Sequence, residues 1–158
     1  MELNIDAIRA VLYYIKDNIE YDKNHNRVGK QYFTKSDIIK GIVPTKDYAS
    51  NDVAYSIELL LDSDYINLLE PVKRDSCGNL IMVKIRGLTM EGHEFCLQTE
   101  NPTIWNAVKD RAIKTGHTGL RKIGEFSSGL ALALMKDPHA LDNFIEGTKH
   151  IVHMFSGM

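Results

Sequence analysis

The chain has 158 residues, of which 44% are hydrophobic and 25% charged, and its formal net charge is −2. This composition is that of one compact domain with its own core, or of a small domain with a helical extension, and it excludes wholesale disorder. It also excludes the broad positive field that gathers nucleic-acid phosphates regardless of sequence, so any DNA contact must be local.

Ile5, Ile8, Leu12, Ile15 and Ile19 recur at steps of three and four, which predicts a first helix capped by Asn4 with Asp6 in its first turn. Residues 21–32 turn polar and read as a loop, with a short strand expected over 28–33. Thr34 and Asp37 resemble a capping box, with Asp in place of the usual Glu, and open a second, short helix that contains Ile38 and Ile39 and stops at Gly41. After a turn over 44–50, Asn51 is positioned to cap a third helix, 51–62, whose Ala54, Ile57, Leu60 and Leu61 share one face. Residues 65–72 and 80–86 then read as two strands of a hairpin joined by 73–79, with Gly78-Asn79 as the turn signal.

Thr89 begins a fresh helix with Glu91 in its first turn and Phe95 on its apolar side. Pro102 begins another, in which Ile104, Trp105, Val108, Ala112 and Ile113 are spaced helically and Trp105 is expected in the core. Past Gly116 and Gly119 the pattern restarts through Leu120, Ile123, Phe126, Leu130 and Leu134. It breaks at Asp137-Pro138 and resumes through Leu141, Phe144, Ile145, Ile151, Val152 and Phe155, a helical hairpin.

The fold class expected is mainly α with a small β-hairpin, an α+β arrangement. A helix, a short helix, a helix, a hairpin and a helix in that order make a winged helix-turn-helix domain over 1–100, and residues 101–158 make a C-terminal helical extension for packing or dimerisation. The phrase Gly87-Leu88-Thr89-Met90-Glu91-Gly92-His93 resembles the Leu-Thr-x-x-Gly step that follows the wing in bacterial regulators of this architecture. Together with Leu3-Asn4-Ile5-Asp6 and Arg9, residues 55–68, and Thr103-Ile104-Trp105 with Val108-Lys109, it resembles a family of uncharacterised proteins of phages and bacterial mobile elements, catalogued as a domain of unknown function. The resemblance covers 1–113 and implies a small cytoplasmic or prophage-encoded winged-helix protein without an established activity. Two departures stand out: Ser56 where such proteins often carry histidine, and Ser63-Asp64 where an Ala-Gly pair usually ends the third helix.

A helix that reads the major groove offers donors to bases and positive charge to phosphates. The third helix instead presents Asp52, Tyr55, Ser56, Glu58 and Asp62 and holds no Lys or Arg. Positive charge lies in the hairpin, at Lys73, Arg74, Lys84 and Arg86, and at Lys46 in the turn before the third helix. A contact with double-stranded DNA would therefore use Lys46, Ser50, Asn51, Tyr55, Lys73, Arg74, Lys84 and Arg86, led by the wing. The same four hairpin cations also read as a solvated edge that discourages strand-to-strand aggregation. The alternative is a protein-interaction module working through the acidic third helix and the apolar tail. Leu130, Leu134, Phe144, Ile151 and Phe155 are the expected contacts with a partner or with a second copy in a homodimer.

No enzyme is expected: there is no phosphate-binding loop, no nucleophile elbow and no activated cysteine. His93 beside Glu91 and Glu94 has no nucleophile near it in sequence, and His150 with His153 lacks further ligands, so neither a cofactor nor a metal is expected. Cys77 and Cys96 with no leader pattern predict reduced thiols in a cytoplasm. The run 129–135 is far short of the roughly 20 residues that cross a bilayer, so no membrane partner is expected.

Overall fold

Asn4 starts the first helix as expected, its side-chain oxygen accepting the Ala7 N–H at 3.1 Å. Helix α1 (Ile5–Asp17) then buries Ile5, Ala7, Ile8, Val11, Leu12 and Ile15 on one face. The computed structural model describes residues 1, 3–45, 48–115, 120–137, 139 and 141–145. They fall into two units, Met1–His93 and Glu94–Met158, and the boundary lies within a helix.

The polar stretch after α1 is a small hairpin, β1 (Glu20–Tyr21) with β2 (Arg27–Val28), and not a plain loop. Asp22 builds its turn: one carboxylate oxygen accepts the N–H groups of Asn24 at 2.8 Å and Asn26 at 2.9 Å, and His25 takes a left-handed φ of 66°. The strand expected over 28–33 splits, because Val28 stays in β2 while Phe33 bridges Ile85 through two backbone bonds of 2.8 and 2.9 Å.

Helix α2 (Lys35–Ile42) has the complete capping box: the Thr34 hydroxyl accepts the Asp37 N–H at 3.2 Å and the Asp37 carboxylate accepts the Thr34 N–H at 2.9 Å. Gly41 does not stop it. The helix runs on to Ile42, and glycine serves close approach instead, since a Cβ at Gly41 would lie 2.7 Å from the Tyr14 hydroxyl oxygen. Helix α3 (Ser50–Leu61) begins one residue before its expected start, with Ala49 at the cap and no side-chain cap bond, so Asn51 is not the cap. Its buried face is Val53, Ser56, Ile57 and Leu60, with Ala54 and Leu61 only half-buried. Ser56, read from sequence as outward, is buried because its hydroxyl donates to the Asp52 carbonyl at 2.7 Å and so needs no outside partner.

One long hairpin follows, in two paired stretches: β3 (Ile66–Leu68) with β6 (Ile85–Leu88), and β4 (Lys73–Arg74) with β5 (Leu80–Met82). Pairing therefore extends to Lys73 and Arg74, inside the segment expected to be the connection. A bond from Leu69 N–H to the Lys84 carbonyl at 2.8 Å links the two stretches. The tip repeats the device at 22–26: an Asp75 carboxylate oxygen accepts the Cys77 and Asn79 N–H groups at 2.9 and 2.8 Å, and Gly78 has φ 83°. Helices α1, α2 and α3 with β6 enclose the core, where Phe33, Ile38, Leu60 and Ile85 are fully buried and Tyr14 meets Phe33 edge-on at 5.9 Å.

The Leu-Thr-x-x-Gly step has a local cause. Leu88 is buried, the Thr89 hydroxyl accepts the Gly92 N–H at 3.1 Å while donating to the Asp64 carbonyl, and Gly92 lets the Tyr65 carbonyl approach the helix. Helix α4 (Met90–Gln98) starts there. In the second unit α5 (Pro102–Thr115) packs on α6 (Leu120–Lys136), and 141–145 is helical. Trp105 is buried as expected, edge-on to Phe95 at 5.9 Å, whereas Ile113 is exposed. The whole is mainly helical with small antiparallel sheets, an α+β fold.

Candidate functional site

The exposed side of α3 begins with Ser50 and Asn51, both open to solvent, followed by half-buried Tyr55 and Glu58 and by exposed Asp62. Asp52 accepts a bond from the Asn4 amide at 3.4 Å. The hairpin cations do not gather beside them as a free positive patch. Arg74 turns onto α3 and grips Glu58 with both terminal nitrogens, at 2.8 and 3.3 Å, while donating to the Gly78 carbonyl at 2.9 Å. Its guanidinium is raised above its ordinary range by the hydrogen bonds to Glu58, with Glu58 and Asp62 adding charge attraction.

Lys84 pairs with Glu70 at 3.3 Å and sits 5.1 Å from the Tyr32 ring centroid. Lys73 and Arg86 remain exposed, and Lys46 lies outside the described residues. Farther along, Lys30 pairs with Asp37 at 2.8 Å. Burial pushes the Asp37 carboxyl up, but Lys30 and the Thr34 N–H and hydroxyl outweigh it and hold it below the usual range. Such exposed surface pairs stabilise little, because solvent screens them. Their consequence is for binding: drawing Arg74 to a phosphate would leave Glu58 uncompensated beside the same phosphate.

A groove of about 460 Å³ runs between α2 and β5, with Thr34, Lys35, Ser36, Ile39 and Lys40 on one wall and Leu80, Ile81, Met82 and Val83 on the other. Ile81 is 64% exposed and Met82 41% exposed. Sequence reading missed this feature, although four successive apolar residues in a hairpin expected to face water were its signal. A second cavity, of about 290 Å³, is lined by Asp6, Arg9, Tyr13, Tyr14 and Tyr48 among others. Burial, then Asp6, raises the Tyr48 hydroxyl, with Arg9 opposing.

Of the expected partner contacts in the tail, Leu130 is only 1% exposed, so it needs no partner to cover it. Leu134 and Phe144 are half-buried, and the Arg111 guanidinium lies 4.5 Å from the Phe144 ring centroid and 5.1 Å from that of Phe126. Exposure on α6 falls instead on Leu132 and Met135. Ile151 and Phe155 lie outside the described residues. Among the described residues no three His, Cys, Asp or Glu side chains are grouped to hold a metal, and no helix is long and apolar enough to cross a membrane.

No curated protein and no solved structure matches the chain. A family model described as hypothetical protein (DUF2513) matches residues 2–118, and the chain belongs to that family.

Proposed function

We propose that residues 1–100 are a winged helix-turn-helix domain acting as a non-enzymatic binding module in the cytoplasm, and that its main partner is a protein. The order α1, the Phe33 bridge, α2, α3 and the hairpin is that of a winged helix, with α2 and α3 as the helix pair and β3–β6 as the wing. The family resemblance supports a phage or mobile-element setting. The observation that carries the choice of partner is the two-pronged Arg74–Glu58 bridge, which commits the wing's arginine to an acidic third helix. In a groove-reading protein that helix and wing would together face phosphates, where Asp52, Glu58 and Asp62 repel.

The second reading is a wing-led contact with double-stranded DNA. It is favoured by the exposure of Ser50 and Asn51 at the start of α3 and of Lys73 and Arg86 on the hairpin. Fluorescence anisotropy with random duplex DNA at about 50 and 200 mM salt separates the two, because phosphate contacts weaken steeply over that interval. The protein-partner reading expects no salt-sensitive binding. Binding that falls with salt and vanishes when Lys73, Arg74, Lys84 and Arg86 are changed to Ala would overturn it.

A further inference from the structure

We propose that the groove between α2 and β5 docks an extended segment of a partner protein, acidic and apolar at alternating positions, which adds to the open edge of β5. The proposal rests on the protein-partner reading above and specifies its site.

Phe33 lies antiparallel to Ile85 and exchanges both backbone bonds with it, so it opens a third strand on the outer edge of the hairpin. That strand ends after one residue, because Thr34 caps α2 and the chain leaves the sheet as a helix. Beyond this point β5 is paired by β4 on one side only, among the described residues. An unpaired edge presents backbone N–H and C=O groups to any chain laid along it, and peptide recognition by strand addition uses such edges. Here the helix that displaced the third strand stands off as the groove's far wall.

The side chains then select the occupant. Ile39 from α2 meets the groove from one side and Leu80, Ile81, Met82 and Val83 from the other. The exposure of Ile81 and Met82 is unusual for an edge that natural proteins keep charged. Lys35 and Lys40 stand on the α2 wall, Lys73 lies directly across the ladder from Met82, and among the described residues no carboxylate lines the groove. An added strand points alternate residues to opposite faces, so apolar side chains would enter the groove while Asp or Glu between them meet the lysines. A nucleic acid fits less well, since among the described residues no aromatic ring lines the groove for bases to stack on, and the apolar floor between the lysines gives phosphates nothing.

The test pans a displayed library of short random peptides in parallel on the full-length wild type and on Ile81→Glu, and measures synthetic versions of the enriched sequences by anisotropy. The expected result is an alternating apolar and acidic consensus enriched on the wild type only, with affinity at least tenfold weaker for Lys35→Glu/Lys40→Glu. Thermal midpoints of both variants should match the wild type, which shows that loss of binding is not loss of fold. No enrichment, a basic consensus, or equal binding to Ile81→Glu overturns the proposal. So does self-association of the wild type that Ile81→Glu abolishes, because the groove's occupant is then a second copy. If the peptides fail and duplex DNA also fails to bind, this site falls while the protein-partner reading stands. If duplex DNA binds with steep salt dependence and displaces the peptides, that reading falls as well.

Discussion

Substituting Gly92→Ala tests the junction between hairpin and α4. An ideal Cβ at Gly92 would lie 3.2 Å from both the Tyr65 carbonyl carbon and the Leu88 Cβ, and closer still to the Tyr65 oxygen. That oxygen is a backbone atom already accepting the Thr89 N–H at 3.0 Å, so no side-chain rotation relieves the clash. The first turn of α4 or the end of β6 must move by about an ångström, which strains the Thr89 bonds to Gly92 and Asp64. Overpacking of this kind costs roughly 1–3 kcal/mol, and local loss of the cap adds about 1 kcal/mol. The better helix propensity of Ala returns up to about 1 kcal/mol. The net is a destabilisation of about 2 kcal/mol, or a midpoint lowered by roughly 8–16 °C if the first unit unfolds as a domain of that size. Urea and thermal unfolding followed by circular dichroism read it directly. A Gly92→Ala protein within about 0.5 kcal/mol of wild type would refute the close-approach explanation of the Leu-Thr-x-x-Gly step.

The two Asp-built turns make opposite predictions. Gly78 has φ 83° and a Cβ there meets nothing within 4 Å, so Gly78→Ala should lose about 1 kcal/mol from backbone conformation alone, measured by urea unfolding. His25 holds φ 66°, so His25→Gly should be neutral or stabilising by up to about 1 kcal/mol despite the greater freedom of Gly in the unfolded chain. Asp37 carries a pH dependence: its folded carboxyl titrates below its unfolded value, so its contribution is complete above about pH 4 and is lost as pH falls through the folded value. Asp37→Asn should therefore be less stable than wild type by about 1 kcal/mol at neutral pH, with the gap closing in acid when unfolding is compared across pH. Glu58→Gln releases Arg74 from its grip, and any duplex affinity at low salt should rise several-fold over wild type by anisotropy.

Much of the fold was legible because its signals are local. Asn4, the Thr34–Asp37 box and the period of α1 lie within a turn or two of the groups they satisfy. The resemblance to a family of unknown function agrees with the match over residues 2–118. What escaped depends on groups distant in sequence. From sequence Gly41 reads as a stop signal, because nothing nearby announces the Tyr14 ring against it. Ser56 reads as outward, because a hydroxyl looks polar until it is bonded to its own helix. The pairing of Lys73 and Arg74 follows from the side-chain bonds of Asp75, which composition alone reads as a loop. The candidate site was the least legible. Its four hairpin cations were visible, but the ion pairs that engage Arg74 and Lys84 join residues far apart in sequence, and the groove needs α2 beside β5.

On the protein-partner reading proposed above, the third helix and wing do not read DNA. A titration of isotope-labelled full-length protein with a short random duplex, followed by amide chemical shifts at about 50 mM salt, tests it residue by residue. The amides of Ser50, Asn51, Tyr55, Lys73 and Arg86 should stay in place as duplex is added. Concerted shifts of those amides that reverse when the salt is raised to about 200 mM would contradict it.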